Sequence, residues 1–138
     1  MSSKAVRDAF RAKLDAVMPV GFTFKDSINT ARQDDAATVY MTADFLPPMS
    51  TRLSLGNPGN DWWKETGTVH VVCRVVRGDG VGGATDPEAA LATVGAALLG
   101  QRFDGVLVTE VDAVDTAGSD DSHFRAVLAV RYWFKYRG

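Results

Sequence analysis

Between Ser3 and Val17 the apolar residues Val6, Phe10, Leu14 and Val17 recur at i, i+4, i+8 and i+11, with charged residues between them. One apolar stripe on a helical period predicts an amphipathic helix, and Ser3 is placed to cap its N-terminus. Pro19 and Gly21 stop it, and Phe22-Thr23-Phe24 predicts a short strand before the polar stretch from Lys25 to Asp35. From Thr38 to Phe45 the period changes to two: Val39, Met41, Ala43 and Phe45 alternate with Tyr40, Thr42 and Asp44, the pattern of a half-buried strand ended by Pro47-Pro48.

Met49 to Asp61 reads as a long connection holding one short strand, Arg52-Leu53-Ser54-Leu55, and the turn-forming cluster Gly56-Asn57-Pro58-Gly59-Asn60. Trp62 to Arg77 is rich in aromatic and β-branched residues and predicts one long strand, with Val69, Val71, Cys73 and Val75 on one face and His70, Val72, Arg74 and Val76 on the other. After the glycine-rich Gly78–Gly83, Asp86-Pro87-Glu88 supplies a helix cap, a first-turn proline and a first-turn acid, opening a helix to about Gln101. That helix carries almost no charge after Glu88, so the expectation is that it is covered on more than one side. Val106–Val114 and His123–Tyr136, separated by a turn-rich stretch, predict two antiparallel strands with a long connection. Runs of strands without strict βαβ alternation give an α+β fold, a mainly antiparallel sheet with two helices packed on one face.

Composition adds a size limit and removes some partners. The 138 residues are 46% apolar and 23% charged, enough for one hydrophobic core and one domain spanning 1–138. With 15 Lys and Arg against 17 Asp and Glu, the chain has no basic excess to favour tight DNA binding by a monomer. Cys73 is the only cysteine, so an intramolecular disulfide is excluded and the cytoplasm is the expected setting. No targeting segment and no membrane-spanning stretch is visible in the sequence.

The sequence offers little chemistry. Gly78-Asp79-Gly80-Val81-Gly82-Gly83 satisfies G-x-G-x-x-G between a predicted strand and a predicted helix. A dinucleotide fingerprint needs its third glycine inside the helix, whereas Asp86 caps the helix three residues later and puts a carboxylate where a phosphate should sit. The P-loop lysine is also missing, its place taken by Ala84. A flexible link explains the glycines better. His70 and Cys73, three apart on one strand, point to opposite faces and cannot act as a nucleophile–base pair. His123 reads as an exposed turn residue, and Asp112, Asp115, Asp120 and Asp121 lack the spacing of a calcium loop. Neither a metal site nor a cofactor is expected.

Surface aromatics remain. Trp62 and Trp63 are adjacent on a strand, so at most one enters the core and the other needs a partner; Trp133 lies opposite Phe134 in the same way.

The run Trp63-Lys64-Glu65-Thr66-Gly67-Thr68-Val69-His70-Val71-Val72-Cys73-Arg74-Val75, the glycine-rich break, the alanine/leucine helix to Leu98-Leu99 and the closing strand Phe124–Tyr136 resemble the tail terminator proteins of long-tailed bacteriophages. An aromatic residue and a Thr-Gly step open the long strand in that family, and an aromatic-rich alternating strand closes the chain. The N-terminal helix and the Gly-Asn-Pro-Gly loop agree in order, while the connection Gly100–Gly105 is longer than usual. The resemblance implies a non-enzymatic virion protein forming a hexameric ring on the head-proximal end of the tail tube. Such a ring stops tube growth and joins the tube to head-completion proteins, with DNA passing through the lumen without specific binding. It implies assembly in the host cytoplasm and no membrane partner. A tail-tube or other neck role is the close alternative. Expected ring and tube contacts are Leu53, Leu55 and Asn57 of the long loop together with Trp62, Trp63 and Trp133.

Overall fold

The computed structural model describes residues 3–19, 22–25, 39–56, 59–76, 87–116 and 123–137. In chain order the elements are α1 (Lys4–Val17), β1 (Thr23–Lys25), β2 (Val39–Phe45), β3 (Met49–Arg52), β4 (Trp62–Val76), α2 (Pro87–Leu98), β5 (Arg102–Phe103), β6 (Val106–Val111) and β7 (His123–Arg137). Two helices pack against a mostly antiparallel sheet curled into a half-barrel, an α+β fold. The sheet order is β1-β2-β4-β7-β6-β5, with β3 paired to β4 beyond the end of β2. Among the described residues only β1 and β2 run parallel.

The backbone of the sheet is the β4/β7 ribbon. Both strands are 15 residues long and pair without a break from Trp62 opposite Arg137 to Val76 opposite His123. At about 3.4 Å per residue the ribbon is roughly 50 Å long, more than one short helix can cover. Its edges are interrupted. Proline at 47 and 48 ends β2, and the chain then resumes on the same neighbour as β3, while a bulge between Val108 and Glu110 bends β6.

Alternation decides the core. Val69, Val71 and Cys73 of β4 and Ala126, Leu128, Val130 and Tyr132 of β7 face the helices and join Val6, Ala9, Phe10 and Leu14 of α1 and Leu91, Val94 and Leu98 of α2 in one cluster. Phe10 is its aromatic hub, meeting Phe103, Tyr132 and Phe45 edge-on at centroid distances of 5.2, 5.3 and 6.1 Å. Ser3 caps α1 as expected, its Oγ accepting from the Val6 N–H at 3.4 Å.

Several expectations need correction. The short strand of the long loop is Met49–Arg52, because those residues align with Trp63–Thr66 of β4; of the expected strand, only Arg52 belongs to it. Helix α2 stops at Leu98, where the Gln101 N–H bonds back to the Leu98 carbonyl at 3.0 Å. It is covered on one side only: Ala90, Leu91, Val94 and Leu98 are buried, while Ala92, Ala96 and Leu99 are exposed, which alanine tolerates at little cost. The β2 strand is buried on both faces, since Tyr40 and Thr42 are buried as well as Met41 and Ala43, with Val72 beside Thr42.

The stretch read as a plain connection, Gly100–Gly105, instead contains a hairpin. Asp104 and Gly105 both take positive φ, 47° and 85°, and turn β5 into β6. This is the two-residue Asp-Gly turn whose twist matches that of paired strands.

Candidate functional site

The far half of the ribbon, Trp62–Thr68 with Arg131–Arg137, carries the residues singled out from the sequence. Trp62 and Trp63 point to opposite faces, as strand geometry requires. Trp63, half-buried, lies on the helix-side face beneath the Arg52 guanidinium, 5.8 Å from its ring centre. Trp62 lies on the outer face with Trp133, and the two rings are flanked by cations. Arg137 and Lys135 sit 4.5 and 5.0 Å from the Trp62 centroid, and Arg102 and Lys64 sit 5.4 and 5.5 Å from that of Trp133. Lys64 and Lys135 are direct cross-strand partners. Beside them an open groove of about 420 Å³ is lined by Met49, Lys64, Thr66, Glu110, Arg131 and Trp133.

The helix-side face of the same half is built around one buried acid. Glu65 Oε2 accepts from the Tyr132 hydroxyl at 2.8 Å, and Oε1 accepts from the Ser3 N–H at 3.3 Å, tying the start of α1 to the sheet. Tyr132 reaches Glu65 by crossing over Gly67, its direct partner on β4. A Cβ on Gly67 would sit 2.7 Å from the Tyr132 hydroxyl, so the Thr-Gly step is a packing requirement of this crossing.

A strap, of which residues 46–56 and 59–60 are described, runs beside this end. Every residue of β3 is exposed, and among the described residues β3 has a strand neighbour on one side only. Met49, Leu53 and Leu55 are 68%, 49% and 84% exposed. The strap is nonetheless anchored. Asp61, buried at its base, holds the Arg52 guanidinium and accepts from the Ser54 hydroxyl at 3.3 Å, and Ser54 Oγ accepts from the Trp62 N–H at 2.8 Å. The structure thus brings Leu53, Leu55 and Trp62 to one outward-facing end, with Trp133 on the same sheet face as Trp62. Asn57 and the Gly78–Gly83 loop lie outside the described residues.

Asp61 closes the long connection and nothing in the sequence singles it out; only its burial beneath Arg52 reveals its anchoring role.

Elsewhere the chemistry is quiet. Cys73 is buried on the core face, and burial pushes its thiol up to about 12, so at neutral pH it is not a thiolate nucleophile. His70 faces the other side of β4, so the pair stays apart. Among the described residues no three His, Cys, Asp or Glu side chains come together to hold a metal, and no helix is long and apolar enough to cross a membrane. A second, smaller cleft of about 220 Å³ lies between α2 and the chain after β6, lined by Ala92, Gly95, Ala96, Leu99, Val111 and Val114, among others.

The described surface is therefore that of an α+β protein whose most distinctive features are an apolar strap and a cation-flanked tryptophan face. No family model matches the chain, and no curated protein matches it either.

Proposed function

We propose that the protein is a non-enzymatic, ring-forming assembly protein of the phage tail terminator kind, acting on the head-proximal end of a tail tube. In this reading it halts tube growth, presents a surface to head-completion proteins, and works in the virion after assembling in the host cytoplasm. The likeness of the long Thr-Gly strand, the alanine/leucine helix and the aromatic closing strand motivates the reading. The observation that carries it is the strap: Met49, Leu53 and Leu55 held in water beside an open strand edge, on an anchor that keeps them ordered.

Isolated exposed leucines are ordinary, whereas several on one anchored segment beside Trp62 form the kind of patch that marks an interaction site. A closed ring needs one patch of each subunit to meet a different patch of its neighbour. An edge strand can take part by strand addition.

Sedimentation velocity across a concentration series, followed by mixing with purified tail tubes, tests the proposal. A discrete small oligomer that binds tube ends and stops their elongation is the expected result. Growth into long cylinders on its own would replace it with the tube-protein reading, and a monomer indifferent to tubes would overturn both.

A further inference from the structure

The chain carries a formal charge of -2, yet its cations are not spread evenly. On the outer face of the far half, three successive rows of the β4/β7 ribbon pair Trp62 with Arg137, Lys64 with Lys135, and Thr66 with Trp133. Arg102 belongs to the third row, since it pairs with Leu107, which in turn pairs with Trp133. Among the described residues no carboxylate forms an ion pair with these four cations, whereas Arg131, one row further on, is held by Glu110 at 2.7 Å and Asp112 at 3.4 Å. A ring face attracts a cation without cancelling its charge, so Trp62 and Trp133 gather the four and leave them positive. Like charges directly opposite on a sheet, as Lys64 and Lys135 are, weaken the pairing unless an anion meets them.

The spacing indicates the kind of anion. Side chains on one face of a strand repeat every second residue, so at about 3.4 Å per residue the rows lie roughly 7 Å apart, and an extended peptide repeats its own same-side residues at that interval. A nucleic-acid strand fits less well. The rings on which bases would stack already have cations of their own chain over them, and a polyanion continuing along the ribbon would run onto Glu110 and Asp112 after three rows. Met49, exposed at the rim of the adjoining groove, offers the apolar contact that a protein segment uses. A second copy of this chain has no such segment to spare among its described residues, because its acids at alternate positions, Glu110 and Asp112, are both held by Arg131.

We propose that the Trp62–Trp133 face docks an extended acidic segment of another protein. Aspartates or glutamates at every second position of that segment meet Arg137, the Lys64–Lys135 pair and Arg102 in successive rows. This goes beyond the assembly reading above and does not depend on it, because the whole face lies within one chain.

Fluorescence anisotropy with a labelled peptide of about eight residues, alternating glutamate and threonine, tests it in low salt. Saturable one-to-one binding that fades at 1 M salt, where screening reaches about 3 Å, is the expected result. Lys64→Gln with Lys135→Gln is expected to weaken binding about tenfold, the sum of two exposed charge contacts. Arg74→Gln removes the same kind of charge from the same face roughly 35 Å away along β4, at about 3.4 Å per residue, and is expected to stay within about twofold of wild type. The double variant is expected to melt no lower than wild type, since it relieves a like-charge pair. A peptide that does not bind overturns the proposal, as does an Arg74→Gln loss equal to that of the double variant, which would mean unspecific attraction. A peptide with the same glutamates in one block that binds equally well overturns the row-by-row fit. Tighter, lysine-dependent binding of an oligothymidylate of about eight nucleotides would replace the acidic segment with a nucleic acid. Self-association that falls in the double variant, with no peptide binding in wild type, would assign the face to a second copy.

Discussion

One ribbon buries its inner face in two different ways along its length. In the near half, Val69, Val71 and Cys73 face Ala126, Leu128 and Val130 across the strands, and two helices cover them with Leu, Val and Phe. In the far half, the corresponding positions are Trp63, Glu65 and Gly67 opposite Tyr136, Phe134 and Tyr132. There the ribbon largely covers itself: Tyr132 folds over Gly67 onto Glu65, and Phe134 stacks with Tyr136 at 6.1 Å. The first arrangement maximises apolar burial. The second trades some of it for a protruding end whose opposite face is free to carry cations and tryptophans. The difference predicts that mutations in the near half act through lost volume and those in the far half through lost fit.

Leu128→Ala gives the largest expected effect. Leu128 is fully buried between the sheet and α2, with methyl groups that pack within about 3.5 Å of where a Gly95 Cβ would lie. Its truncation leaves a cavity and is expected to lower unfolding free energy by about 3 kcal/mol, read from urea denaturation with an unchanged m-value.

Gly67→Ala is expected to cost about 2 kcal/mol, since the added methyl meets the Tyr132 hydroxyl and drives it from Glu65. Tyr132→Phe alone, which leaves the buried Glu65 with one donor fewer, is expected to cost about 1.5 kcal/mol. The sharper test is their combination. Both single variants give up the same Tyr132–Glu65 hydrogen bond, which the double variant can lose only once, although the added methyl still presses on the Tyr132 ring; the double variant is therefore expected to be at least about 0.5 kcal/mol more stable than the sum of the singles. Strict additivity would show that the crossing is not a unit.

Cys73 provides the pH arm of the comparison. Burial raises its thiol from an ordinary 9.0 to about 12, so between those values the unfolded chain releases a proton that the folded chain keeps. The folded state then binds more protons than the unfolded one, and stability falls with rising pH by about 1.4 kcal/mol per unit. The contribution is complete below pH 9 and lost on the way to 12. Lysines and tyrosines titrate in the same range, so the measurement is the difference in alkaline slope between wild type and Cys73→Ala; equal slopes would refute it.

The legible part of this molecule is its periodicity. Both helices, the long strands and the opposed faces of Trp62 and Trp63 follow from spacing alone, because side-chain direction in a strand alternates whatever the partner. What stayed hidden depends on register. Gly67 and Tyr132 are 65 positions apart, and nothing local to either announces that they are cross-strand partners. The same holds for Asp61, whose burial is set by an arginine on another strand, and for the cleft beside α2, formed where an exposed alanine face meets the chain leaving β6. The Asp104-Gly105 hairpin is the exception: Asp-Gly is a local turn signal, but the strand it opens from, Arg102–Phe103, is too short to show a period of its own.

The smallest expected effect separates stability from interaction most directly. Lys135 faces Lys64 across the ribbon in the far half, a like-charge pair that no carboxylate joins among the described residues, whereas Arg131 on the same face is paired with Glu110 and Asp112. Lys135→Glu replaces repulsion with attraction, and Trp62 keeps Arg137 over its ring at 4.5 Å, so only part of the cation–aromatic contact is lost. The net expectation is a gain of about 0.5 kcal/mol in unfolding free energy at low salt. At 1 M salt, where the screening length shrinks to about 3 Å, most of that gain should vanish. A face shaped for the stability of the single chain would already carry such a pair, so a variant that gains stability while associating less shows that the lysine is kept for what it meets outside its own subunit. A variant that loses stability at low salt would place the two lysines in the same structural role as the near half, and the contrast between the halves would reduce to side-chain size.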